Sequence, residues 1–179
     1  MFLLLVGGGI LTCHAGTRDA VDYRFAQPRL AVSEALPLGT VLAVVAVPCG
    51  TVNELQGRVR RELWTAAGRQ GMTAMAQTNV RGIGARLVLD TQPVDGDDLD
   101  SHLPWSLGGG SLARVQDTVR IELIKTGPVP AGTLTRVTPD VQYRRYTLIA
   151  GKKRWVHVRR LHYDGQLVLT PVKQPLLQH

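Results

Sequence analysis

The chain has 179 residues, 44% hydrophobic and 20% charged. That globular composition, at a length able to bury its own core, excludes wholesale disorder and a miniprotein that needs disulfides to fold. The formal charge of +7 is uneven: residues 1–100 hold 9 basic and 10 acidic side chains and residues 101–179 hold 12 and 4, so the excess belongs to the C-terminal part.

Met1 to Leu11 (MFLLLVGGGIL) is apolar and uncharged. It is short for a bilayer span, which takes about 20 residues, and fits the apolar region of a secretory signal, with a small-residue cleavage site at Cys13-His14-Ala15-Gly16. A basic lead-in is lacking. The alternative is a buried first strand, for which Gly7-Gly8-Gly9 is poor material. Residues 1–15 are read as the signal segment, which leaves no membrane span in the mature chain. Cys13 and Cys49 are the two cysteines. Cleavage before Cys13 would let them pair in an oxidising compartment, with a stabilisation of about 2–4 kcal/mol; cleavage after Ala15 would leave Cys49 alone.

Strand patterns then recur at short intervals, with 21 Val and 15 Thr against two Phe, and 19 Gly and 10 Pro to turn the chain. Val21–Phe25 and Arg29–Val32 alternate. Val41–Val47 (VLAVVAV) is a continuous apolar run bounded by Leu38-Gly39 and Pro48-Cys49-Gly50, the pattern of a central strand buried on both faces. Arg58–Thr65 mixes charge with Val59, Leu63 and Trp64, and Glu54–Trp64 is the best helix candidate, although it reads equally well as strand. Met72–Ala76 is weak. Ile83–Asp90, Thr118–Lys125, Gly132–Val137, Tyr143–Ala150, Arg154–Leu161 and Gln166–Pro171 complete the set. In Thr118–Lys125, Val119, Ile121 and Leu123 fall on one face. About ten short strands predict an all-β sandwich or barrel.

Thr91–Gly110 is the longest irregular stretch and carries Asp95, Asp97, Asp98 and Asp100. Irregular segments of this length are commonly functional or disordered. As an EF-hand it fails: counted from Asp95, position six is Asp100 rather than Gly and position twelve is Ser106 rather than Glu. A solvated acidic loop, a looser calcium site and a sugar-binding rim stay open. No G-x-S-x-G nucleophile elbow is present, and His157 and His162 with Cys49 make a poor zinc pattern. No metal and no cofactor are expected.

Residues 141–163 hold seven Lys or Arg and no Asp or Glu: Arg144, Arg145, Lys152, Lys153, Arg154, Arg159 and Arg160, interleaved with Tyr143, Tyr146, Trp155 and Tyr163. Such a stretch suits polyanions, since Arg bonds anionic oxygens bidentately, or single-stranded nucleic acid. It equally suits edge strands kept soluble by charge. A secretory start argues against nucleic acid. Period two places Lys153, Trp155, His157 and Arg159 on one face, opposite Arg154, Val156, Val158 and Arg160, with the valines inward.

Three segments resemble, in order, the N-terminal receptor-binding domain of chaperone–usher fimbrial tip adhesins: Leu36–Leu42 (LPLGTVL), Thr78–Gly84 (TNVRGIG) and Ile121–Leu134 (IELIKTGPVPAGTL). The resemblance spans roughly residues 21–138. It implies an elongated immunoglobulin-like or jelly-roll β-sandwich, here residues 16–162, with 163–179 either opening a pilin-like domain that lies beyond the sequence or forming a C-terminal tail. It implies export through the periplasm with a chaperone and usher, display on the fimbrium beside a neighbouring pilin subunit, and non-catalytic adhesion to a host glycan or matrix receptor. A structural or adaptor fimbrial subunit is the alternative. It favours a Cys13–Cys49 bridge and places the basic strands at the fibre-proximal side, away from the pocket. For the ligand, the loop after Cys49 with Asn53 and the loop with Asp97, Asp98, Asp100 and Trp105 are nominated, at one shared end. Trp64 or Trp105 would supply a ring for a sugar's apolar face, with carboxylate and amide bonds to its hydroxyls. Either Trp fits a core position as well.

Overall fold

The computed structural model describes residues 20–55, 59–94, 112–149 and 152–173. Over these the regular structure is all strand: β1 (Ala20–Tyr23), β2 (Arg29–Ser33), β3 (Val41–Leu55), β4 (Val59–Thr65), β5 (Gly68–Gly71), β6 (Thr73–Thr78), β7 (Ile83–Pro93), β8 (Leu112–Lys125), β9 (Gly132–Leu134), β10 (Val137–Thr138), β11 (Val141–Ile149), β12 (Lys152–Tyr163) and β13 (Leu167–Val172). Among the described residues no helix is long and apolar enough to cross a membrane.

The strands form three sheets, ordered β1-β12-β11-β4-β5, β10-β6-β7-β8-β3 and β2-β13-β9. Pairing is antiparallel except β1 with β12 and β2 with β13, which are parallel. The two five-stranded sheets enclose a common core in a sandwich-like arrangement. Leu63, Val141, Tyr143 and Leu161 come from the first sheet and Ala74, Ala85, Leu87, Val119, Ile121 and Leu123 from the second, joined by Val32, Leu134, Leu167 and Leu169 of the third. The alternation predicted for Thr118–Lys125 holds, with Val119, Ile121 and Leu123 fully buried.

Two strands depart from expectation for local reasons. β3 is an edge strand, not a central one. Its inward positions Ala43, Val47 and Cys49 are buried while Val44 is 48% exposed. Pro48 does not end it: a register shift between Pro48 and Gly50 carries the chain through a bulge and on to Leu55. Proline lacks the donor a central strand needs, so Pro48 belongs on an edge. In β12 the pairing jumps from Arg145–His157 to Tyr146–Trp155, leaving Val156 as an extra residue. That bulge resets the period. Leu161 and Tyr163 are buried while Val158 is 40% exposed, so the inward valine expected there faces out.

β13, expected as the opening strand of a further domain, is the middle strand of the third sheet, and Leu167 and Leu169 are each 1% exposed.

Register defines two ends. Along β3 and β8, Leu55 lies opposite Leu112 and Val41 opposite Ile124. Along β7 and β8, Pro93 lies opposite Val115 and Ile83 opposite Lys125. In the first sheet Val59 lies opposite Thr147 and Ile149 opposite Lys152. Contacts of Asp117 in β8 with Arg61 and Arg145 hold the two sheets in line. The strand ends at 55, 59, 93, 112, 149 and 152 therefore gather at one end, called here the Leu112 end. Residues 33–41, 78–83 and 125–139 form the opposite, Lys125 end, where Glu34 N donates to Val172 O of β13 at 3.1 Å.

Candidate ligand-binding site

Three positions need accounting for: the Leu112 end, the outer face of the first sheet, and the Lys125 end. Asn53 sits near the end of β3, opposite Arg114, at the Leu112 end. Asp97, Asp98, Asp100 and Trp105 lie outside the described residues, but the strand ends that flank their connection, β7 and β8, reach the same end as Asn53. The strand ends that flank the two nominated loops thus share one end. In the same frame the facing ends of β11 and β12, Ile149 and Lys152, lie at the Leu112 end, whereas Val172 of β13 lies beside Glu34.

Trp64 is neither core nor at that end. It is half-buried on the outer face of the first sheet, because Leu63 before it takes the core position. Its indole N–H donates to Glu62 Oε1 at 2.7 Å, and the Arg144 guanidinium lies 4.1 Å from its ring centroid. Arg144 is held flat by Gln142 Oε1, which accepts from Nε at 3.1 Å and Nη2 at 2.7 Å. Glu62 is 1% exposed although it faces outward, with Arg69 Nε 2.6 Å from its Oε2.

The basic candidates divide. Arg145 faces inward and is buried against Asp117. Arg159 is half-buried, donating to His157 Nε2 at 2.7 Å and Pro48 O at 3.2 Å. Arg144 stacks on Trp64, and Lys152 and Arg160 are exposed. Lys153 and Arg154 lie in β12, their side chains outside the description. A contact surface built from all seven is therefore excluded by Arg145 and Arg159, whose heads serve internal partners.

Between the sheets lies a polar cluster that sequence reasoning missed. Asp117 is fully buried and accepts from Arg61 Nε at 2.5 Å, Thr91 Oγ1 at 3.0 Å and the Tyr143 hydroxyl. Burial, then the bond to Asp117, pushes the Tyr143 hydroxyl well above its ordinary range. Cys49 is a free thiol in the same layer, 0% exposed. It occupies an inward position of β3, where the sequence resemblance favoured a bridge to Cys13; Cys13 is outside the described residues. Burial pushes its thiol up to about 12.

At the Lys125 end the three segments that carry the family resemblance pack on one another. Gly39 N donates to Lys125 O at 2.7 Å, and Lys125 N to Thr40 O at 3.0 Å. Thr126 N donates to Gly82 O at 2.8 Å. Asn79 donates to Thr133 O and accepts from Thr135 N and Arg136 N. Gly82, at φ +78°, lies so close to Pro128 that a Cβ there would stand 2.2 Å from its carbonyl oxygen. Lys125 is 4% exposed, and its ammonium donates to the carbonyls of Ser33, Glu34 and Leu36 at 3.3, 2.7 and 2.6 Å. A concavity of about 580 Å³ beside it is lined by Pro37, Leu38, Pro128 and Val129 among others.

No family model matches the chain, and no curated protein matches it in sequence. Among solved structures it is similar to the receptor-binding domain of the plasmid-born adhesin MrkD1P of Klebsiella pneumoniae, with a TM-score of 0.43 and 15% identity over 90% of this chain and 96% of that one. It is also similar to the Ambient Temperature Fimbriae adhesin AtfE of Proteus mirabilis, with a TM-score of 0.38 and 11% identity over 86% and 99%. At such scores no residue role passes from either protein to this chain.

Proposed function

We propose that this chain is the receptor-binding domain of a fimbrial tip adhesin, carried through the periplasm by a chaperone and usher, and that it holds a host carbohydrate or matrix ligand at its Leu112 end without chemistry. One observation supports this reading above the rest. The segments LPLGTVL, TNVRGIG and IELIKTGPVPAGTL, far apart in sequence, bond to one another at the Lys125 end through Gly39, Gly82 and Lys125. Three chance matches would have no reason to converge. As one packed unit they act as a scaffold signature, and the end free of it is left for the ligand.

Asn53, Asp97, Asp98, Asp100 and Trp105 are the proposed contacts. Loops on a rigid sandwich are the usual carriers of binding, because they vary without disturbing the core. Immobilised glycans and purified matrix proteins, probed with the exported protein, test this. Binding to one class is expected, lost on Trp105→Ala and weakened about tenfold or more by Asp97→Asn with Asp98→Asn. Binding that survives both changes would move the site elsewhere, and no binding to either panel would remove the adhesin reading.

A further inference from the structure

The two outer faces of the sandwich differ in charge. On the second sheet Arg86 and Arg120 are matched by Glu122 and Asp90: Arg86 Nη2 lies 2.6 Å and Arg120 Nε 3.0 Å from Glu122, and Arg120 Nη1 lies 3.6 Å from Asp90. Counting Arg114, exposed on the same face, three arginines stand there against two carboxylates. On the first sheet, pairing puts Arg144 opposite Glu62, Gln142 opposite Trp64 and Arg160, Trp64 opposite Arg69, and Tyr146 opposite Arg60. Four arginines, Arg60, Arg69, Arg144 and Arg160, thus share the face with one buried carboxylate, Glu62. Asp22 stands at the far edge on β1, and Asp140 lies 3.2 Å from His162. Arg60 and Arg160 are exposed, with no carboxylate partner among the described residues.

We propose that this arginine face is a second binding surface, independent of the adhesin reading, and that its occupant is a sulfated polysaccharide. The charge excess calls for an extended anion. Strands about 4.8 Å apart spread Arg160, Gln142, Trp64 and Arg69 along one row across the sheet, a track for a linear chain. Arg144 is pre-set by Trp64 beneath and Gln142 beside it, so little side-chain entropy is lost on binding. Guanidinium forks match sulfate oxygens as they match phosphate. Single-stranded nucleic acid would also need open rings to stack bases. Among the described side chains, Tyr143 and Tyr163 point into the core, Tyr146 is 5% exposed, and the Trp64 ring already carries Arg144; that of Trp155, opposite Tyr146, lies outside them.

The test compares heparin, heparin stripped of sulfate, and single-stranded DNA of equal charge, with the wild-type chain, Arg60→Ala/Arg160→Ala, and a control of equal charge, Arg29→Ala/Arg81→Ala. Arg29 and Arg81 are exposed and lie off this face. Heparin is expected to bind, desulfated heparin to fail, and the first double variant to lose about tenfold in affinity, with the log–log salt slope lowered by about 2. The control should bind as wild type. Equal losses in both double variants would mean that net charge alone is read, and tighter binding of the DNA would assign the face to nucleic acid; either overturns the proposal, as does heparin that does not bind. None of these outcomes bears on the ligand of the Leu112 end, which Trp105→Ala reports separately.

Discussion

At the residue scale, Asp117 is the most consequential side chain. Its buried carboxylate pairs with Arg61 and Arg145 and accepts from Tyr143 and Thr91. Removing one partner of such a buried set leaves uncompensated charge, at a cost of about 3–5 kcal/mol. Asp117→Asn should lower the stability measured by urea unfolding by that amount, a large share of a typical domain's total of about 5–15 kcal/mol. Alkaline pH acts on the same layer. Below the ordinary thiol value of 9.0 Cys49 is protonated in both the folded and unfolded chain, and pH has no leverage through it. Above it the unfolded chain loses the proton while the folded one keeps it to about 12, so stability falls as pH rises through that window. Tyr143 and Tyr23, both raised chiefly by burial, act in the same direction. Melting temperature should be flat from pH 7 to 9 and decline toward 11, and native Cys49 should resist alkylation at pH 8. Gly82 is the third case. At φ +78° and 2.2 Å from the Pro128 oxygen, a Cβ is strained twice over; Gly82→Ala should cost at least about 2 kcal/mol in the same assay.

At the scale of elements, Lys125 makes one strand hold a loop. Its ammonium ties residues 33–36 to the end of β8 by three carbonyl bonds. Lys125→Met keeps the stem but leaves those carbonyls unpaired, at about 1.5–3 kcal/mol for a charge-assisted set. Amide exchange over residues 33–38 should then accelerate ahead of the rest; unchanged exchange would show that the loop holds itself. The strands themselves were largely legible, because alternation is a local signal: Val119, Ile121 and Leu123 fall where period two puts them. What was not legible depends on neighbours. Val41–Val47 has the composition of a central strand, and only Pro48 hinted at an edge. The Val156 bulge reverses every face assigned beyond it without any change in residue type. Gly68–Gly71 has no strand chemistry of its own and is ordered by β4. Arg60 and Arg69 drew no attention as a site because they join Arg144 and Arg160 only through pairing across β4, β5, β11 and β12. For the ligand site nominated at the Leu112 end the sequence offers residue types alone, since a site drawn from separate loops leaves no spacing pattern, and Asp97, Asp98, Asp100 and Trp105 lie outside the described residues.

For the whole molecule, the +8 of residues 101–179 proves to be shared out rather than concentrated. Part is internal, in Arg145 and Lys125, part is on the outer face of the first sheet, and β11 and β12 reach the Leu112 end. The same view settles what β13 is for. With Leu167 and Leu169 in the core, a chain cut after Gly165 should lose its cooperative thermal transition; a cut chain that melts like the full one would mean that the domain closes without β13. The parallel seating of β13 has a mechanical side as well. It runs toward the Lys125 end with five residues in register with β2 and three with β9. A pull on Lys173, with the Leu112 end held by an immobilised ligand, draws β13 along its own axis. Its bonds are then sheared together instead of being peeled one after another, and lifetime under tension is set by the height of that single barrier. The strand that completes the core is thus also the one through which a tether would transmit force.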